Sequence, residues 1–198
     1  MQRLPALTLL IDGLHAAVQA RTAAHEPARA LVDQLTQALR SGAGTPAKLA
    51  SRWLPTCDHL LSANAQAQGA APDIRRLADL MLSLAPLLFW RRRVDDGTGS
   101  PHFTEGHANT HLVGPAGIEV RDDFVVGASL LAPGVVYPEH QHSPRETYLV
   151  LSAGDWYRED AGWYTPGLGG VVYHPAMLVH AMRATAEAPL LALWCLWP

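Results

Sequence analysis

Cysteine is scarce: the 198-residue sequence holds Cys57 and Cys195 and no other. Two thiols exclude a disulfide framework and a cysteine-rich zinc site. Nothing therefore calls for an oxidising compartment. Charge is sparse too, at 17% of residues, against about 25% in an average soluble domain. With a net charge of −3, there is no basic footprint to neutralise phosphates, so nucleic acid is not an expected partner. The same deficit excludes polybasic docking on a membrane surface. Long apolar runs are missing as well, and none reaches the roughly 20 residues of a membrane helix. Residues 4–11 come nearest, behind Arg3 and ahead of a small-residue stretch at 17–20. Asp12 and His15 interrupt that run, which reads as an amphipathic helix and not as a secretion signal. The expected compartment is the cytoplasm.

What is present divides the chain in two. Residues 1–93 are rich in Ala, Leu, Arg and Gln and contain no tyrosine. Residues 100–198 carry all five tyrosines, four of six tryptophans and seven of ten histidines. The first half favours helix and the second favours strand and turn. Leu31, Val32, Leu35, Ala38 and Leu39 share one helical face, which Ser41-Gly42 ends. Ile74, Leu77, Leu80, Met81 and Leu84 form another such stripe, after Pro72-Asp73. Thr45-Pro46 reads as an N-cap with a first-turn proline. Arg91-Arg92-Arg93 reads as a solvated helix end, and residues 95–100 as a linker. Short apolar runs then alternate with turn chemistry at 110–113, 118–121, 125–131, 135–137, 147–152, 156–158, 162–164, 171–173, 178–182 and 190–196. That rhythm predicts a sandwich or barrel. The expected class is α+β, with a helical region over 1–95 and a β-domain over 100–198.

The chemistry concentrates between Gly134 and Tyr148. On a strand, alternate residues point the same way, so His140 and His142 can face one interior. Glu146 follows a Ser-Pro turn, and Tyr148 shares its strand face. Two imidazoles and a carboxylate suit a divalent transition metal, with iron, zinc, manganese, cobalt and nickel all compatible. A fourth ligand must come from elsewhere, and His180, on a later candidate strand, is the best candidate. His111 and His174 have no defined partner and read as structural; His102 and His107 read as solvated. Cys57 and Cys195 read as packing residues.

Gly134, His140, His142 and Glu146 reproduce the first cupin motif, and Gly169, Pro175 and His180 most of the second. Met177 and Ala184 stand where that pattern often has Gly and Asn, and Gly154 comes one residue late. These departures touch turn geometry and leave the ligands intact. Tyr137 through His142, Glu146 through Leu151 and Gly154-Asp155-Trp156 resemble, more narrowly, the cupin-type dimethylsulfoniopropionate lyases, as do residues 110–115, His174-Pro175 and 180–183. The longer members of that family also carry a helical N-terminal half. The resemblance implies a cupin β-barrel (a jelly roll) behind that helical region. It implies a metal-dependent β-elimination of a small sulfonium substrate into dimethyl sulfide and acrylate. It assigns metal ligation to His140, His142, Glu146 and His180. Tyr148 is its first choice for the base that takes the α-proton; Tyr137 is the second, or else positions substrate. The sulfonium end would meet an aromatic face, from among Trp156, Trp163, Tyr173, Trp194 and Trp197. Another metal-dependent cupin enzyme (oxygenase or isomerase) and a non-catalytic binder are the competing readings. The helical half is open between a cap over the barrel, a homodimer face and a gate.

Overall fold

The computed structural model describes residues 3–93 and 101–198. The predicted linker at 95–100 lies outside the described residues. Four α-helices occupy the described part of the first half: α1 Pro5–Arg21, α2 Pro27–Ser41, α3 Leu60–Ala67 and α4 Pro72–Leu84. Three of them begin on proline, where the fixed φ suits a first turn and no backbone N–H is wasted. The two expected apolar stripes are the buried faces of α2 and α4. Gly42 ends α2 in extended backbone, at φ −179°. Thr45–Pro46 is not a helix start. It is a two-residue strand, β1, that pairs with β3, Glu119–Val120. Long-range pairing wins there over a local capping preference.

A short helix α5, Pro101–Gly106, leads into the β half. Each of the ten expected segments carries a strand. They are β2 His107–Val113, β3, β4 Val125–Leu131, β5 Val136–His140, β6 Arg145–Val150, β7 Gly154–Arg158, β8 Gly162–Tyr164, β9 Val171–His174, β10 His180–Ala184 and β11 Leu190–Trp197. They form a seven-stranded sheet, β1-β3-β2-β4-β11-β6-β9, and a four-stranded sheet, β5-β10-β7-β8. The two sheets enclose a jelly-roll interior. β11 lies inside the larger sheet, between β4 and β6, and alternates strictly. Leu191, Leu193 and Cys195 join the core made with the helices, while Leu190, Ala192 and Trp194 face the smaller sheet. The helices therefore cover the outer face of the large sheet, and that face is as apolar as a domain interior. Burying each such leucine contributes about 1.5–3 kcal/mol.

Two long-range ties fix the helical half to the β half. Glu119 is fully buried and accepts hydrogen bonds from the Arg3 guanidinium and, at 2.9 Å, from the Gly44 N–H. The second tie follows Trp90, which is fully buried and donates its indole N–H to the nearby Ala85 carbonyl at 3.1 Å. The pinned indole sets the direction of the chain beyond it. Arg91 and Asn109 exchange backbone hydrogen bonds at 2.8 Å each way, antiparallel along β2. The Arg91-Arg92-Arg93 run is thus extended chain beside the barrel and not a helix end.

Candidate active site

Five side chains meet where the two sheets converge. His140 ends β5 and His180 begins β10, and the two are register partners in the smaller sheet. Glu146 on β6 and His174 on β9 are register partners in the larger sheet. His142 lies just beyond β5, and its carbonyl accepts the Met177 N–H at 2.9 Å. Met177 sits at φ 64°, a left-handed conformation that glycine adopts without strain. The turn geometry of the motif is thus kept although its usual glycine is missing.

Backbone carbonyls set the tautomers. Nδ1 of His140 bonds the Pro138 carbonyl at 2.9 Å, that of His142 the Pro144 carbonyl at 2.9 Å, and that of His180 the Leu178 carbonyl at 2.8 Å. A carbonyl only accepts, so each Nδ1 carries the proton and, in the neutral ring, each Nε2 presents a bare lone pair. The Glu146 Oε2 lies 3.2 Å from Nε2 of His142, 3.3 Å from Nε2 of His180 and 3.7 Å from Nδ1 of His174. His180 Nε2 and both His174 nitrogens are buried without a hydrogen-bond partner. Lone pairs that face one another without protons between them are the donor set of a cation site. His140, His142 and His180 form one possible ligand group, and Glu146, His174 and His180 another, each with its ligand atoms within 4.8 Å of one another. The residues fit a divalent transition metal.

Burial resists the charge on Glu146, but the surrounding imidazoles of His142, His174 and His180 prevail and hold its carboxyl well below the ordinary range. Burial and the neighbouring His180 push His140 down to about 3, so its ring is neutral. Tyr148 is held well above its ordinary 10, first by burial and then by the charge on Glu146. Its ring stands 5.7 Å from that of His174 and 6.0 Å from that of Trp156. The Tyr137 ring is 4.8 Å from that of His140. All six expected site residues are therefore brought together.

A cavity of about 480 Å³ opens onto this cluster, with Tyr137, His140, His142, Glu146, Tyr148 and Trp194 in its wall. Among the candidate aromatic rings, only Trp194 lines it among the described residues. Trp197 instead stacks on Phe124 at 5.6 Å, and Trp163 is exposed. The three arginines at 91–93 stand at the same cavity, so they are not simply solvated. His111 lines it too, with Arg91 against its Nε2, and burial pushes it down to about 4. His107, expected in solvent, is fully buried and stacks on Phe103 at 4.0 Å. Its Nδ1 faces the Phe103 carbonyl at 2.6 Å and its Nε2 accepts the Arg93 N–H at 2.7 Å. His174 was not expected at the site. No spacing rule points to it, because the β6–β9 register alone puts it beside Glu146.

The geometry defines a class: a two-sheet barrel of the cupin type, with a histidine-carboxylate cluster at the end of a small-molecule cavity. Comparison with known proteins narrows it. The family model for dimethylsulfoniopropionate (DMSP) lyase matches residues 2–192. The chain belongs to that family and is by class a carbon–sulfur lyase. It is 27% identical over 175 residues to dimethylsulfoniopropionate lyase DddQ of Ruegeria pomeroyi, covering 88% of this chain and 82% of that one. The crystal structure of DddQ from R. pomeroyi superposes with a TM-score of 0.72 at 22% identity, over 99% of this chain and 93% of that chain. A structure described with the DMSP lyases RdDddP and RnDddQII gives a TM-score of 0.71 at 24% identity, over 98% and 92% of the two chains. No described helix is long and apolar enough to cross a membrane.

Proposed function

We propose that the protein cleaves dimethylsulfoniopropionate into dimethyl sulfide and acrylate, using a resident divalent transition metal held by His140, His142, Glu146 and His180. The observation that carries this reading is the convergence of three Nε2 lone pairs and one carboxylate, with Tyr148 two residues along the same strand face. A cation bound there supplies Lewis acidity toward a carboxylate and favours the neighbouring phenolate.

The chain's own residues do the rest. Tyr148 takes the α-proton onto its phenolate oxygen. The electrons of that C–H bond become the Cα–Cβ double bond, the Cβ–S bond breaks, and neutral dimethyl sulfide leaves with the former bonding pair. Trp194, in the cavity wall, offers a π face to the sulfonium, an attraction of about 0.5–2 kcal/mol. The arginines in the cavity wall favour the anionic end of the substrate. That asymmetry orients a zwitterion of this kind and disfavours a simple cation.

The test is headspace dimethyl sulfide from purified protein loaded in turn with iron, zinc, manganese, cobalt or nickel. Gas with at least one metal is expected, and none with any of the five overturns the proposal. Oxygen consumption during turnover, without sulfide, would mark the competing oxygenase instead.

A further inference from the structure

A hydrogen-bonded chain of three residues runs from the wall of the large sheet to Tyr137, and none of the three belongs to the motifs. The Trp194 indole N–H donates to Ser129 Oγ at 3.0 Å. Ser129 Oγ donates to Asn109 Oδ1 at 2.8 Å. Asn109 Nδ2 donates to the Tyr137 hydroxyl oxygen at 3.4 Å. The chain runs in one direction. An indole can only donate, so Ser129 accepts from it and keeps its own hydrogen for a second partner, the Asn109 carbonyl oxygen. With that oxygen facing Ser129, the Asn109 amide NH₂ is turned to Tyr137. The Arg93 guanidinium also lies over the Tyr137 ring, 5.7 Å from its centre. The phenol oxygen is thus an acceptor on the protein side, and its hydrogen points elsewhere.

The scaffold keeps the chain in place. Asn109 and Ser129 are register partners on β2 and β4, and Trp194 and Gly127 are partners on β11 and β4. A β-carbon added to Gly127 would stand 2.3 Å from the Trp194 ring, so the glycine leaves room for the indole. Ser129 is buried and Asn109 lies in the cavity wall.

We infer that Asn109, oriented by Ser129 and Trp194, is a positioning residue that makes Tyr137 a hydrogen-bond donor toward the carboxylate of the ligand. This rests on the lyase reading, because the carboxylate is that of the sulfonium substrate. It separates the two tyrosines: Tyr148 accepts the proton and Tyr137 donates to the anionic end.

Asn109→Asp tests the polarity with almost no change of shape. A carboxylate accepts at both oxygens, so it takes the Ser129 hydrogen on one and draws the Tyr137 hydrogen onto the other. The expected effect on the metal-loaded enzyme is a fall of about tenfold or more in kcat/KM, carried mainly by KM, with metal content unchanged. Tyr137→Phe is expected to do the same, and the double variant to be no worse than Tyr137→Phe alone, since Asn109 acts through Tyr137. Independent, additive losses would overturn the inference. A second readout needs no turnover. In zinc-loaded protein carrying ¹³Cζ-tyrosine, the Tyr137 resonance should move in Asn109→Asp and in Ser129→Ala, while that of Tyr148 stays in place. An unmoved Tyr137 resonance overturns the inference even if the enzyme is active. If the unsubstituted protein releases no dimethyl sulfide, the lyase reading fails separately and the resonance still decides the polarity of the chain.

Discussion

The two faces of the large sheet carry the same strands to opposite ends. On β6, Leu149 packs with the helices, whereas Glu146 and Tyr148 turn inward to the cavity. On β11, Leu193 and Cys195 belong to the helix side and Trp194 to the cavity side. The outer face is mainly apolar, and its leucines stabilise by burial. The inner face gathers imidazoles, a carboxylate and phenols that are costly to bury unless a partner satisfies them. Stability and chemistry are thus divided by strand parity, and each can be disturbed without the other.

The sharpest separation comes from the inner face. Tyr148→Phe is expected to lower turnover by about 10²- to 10⁴-fold with metal content intact, as read from headspace sulfide and elemental analysis. Retention of most activity would move the base elsewhere. On the outer face, Leu193→Ala is expected to lose about 3 kcal/mol of stability in urea, while the metal bound per folded molecule stays the same. Loss of metal without loss of stability would contradict the division. At the seam between the halves, Glu119→Gln leaves Arg3 without its carboxylate and is expected to cost about 3 kcal/mol at pH 7. This effect has a pH signature. Burial resists the charge of Glu119, yet the hydrogen bond from Arg3 leads the interactions that bring its carboxyl below the ordinary 4.5. A depressed carboxyl contributes fully above that value and loses its contribution as pH falls through the lower, folded one. The gap between parent and variant should therefore close only below about pH 4.5, as measured by urea unfolding across pH. The smallest effect belongs to the turn beside the site. Met177→Gly should relieve a left-handed residue and raise stability by up to about 1 kcal/mol; a loss would mean that the methionine side chain holds that turn.

Much of this was legible in the residues. All ten strand segments were marked by short apolar runs between glycine and proline turns, because punctuation of that kind is local. His140, His142 and Glu146 were legible from spacing on one strand and one turn, and His180 from the second motif. His174, Asn109 and Ser129 were not, since each joins the site through pairing between strands distant in sequence. The arginines at 91–93 were misread because local composition favours an exposed helix end. Their true setting depends on Trp90 anchoring and on pairing with β2. Thr45-Pro46 failed for a similar reason, as its partner strand lies at Glu119–Val120.

The strict alternation on β6 and β11 has one last consequence. Sliding β6 by a single residue would drive Glu146 and Tyr148 among leucines and present Leu149 to the cavity, and the same slip of β11 would exchange Trp194 for Leu193 or Cys195. Such a molecule would be unstable and inert together, so mispaired chains remove themselves from the folded population. By the same logic, single-residue insertions in these strands should be eliminated far more strictly than insertions of two.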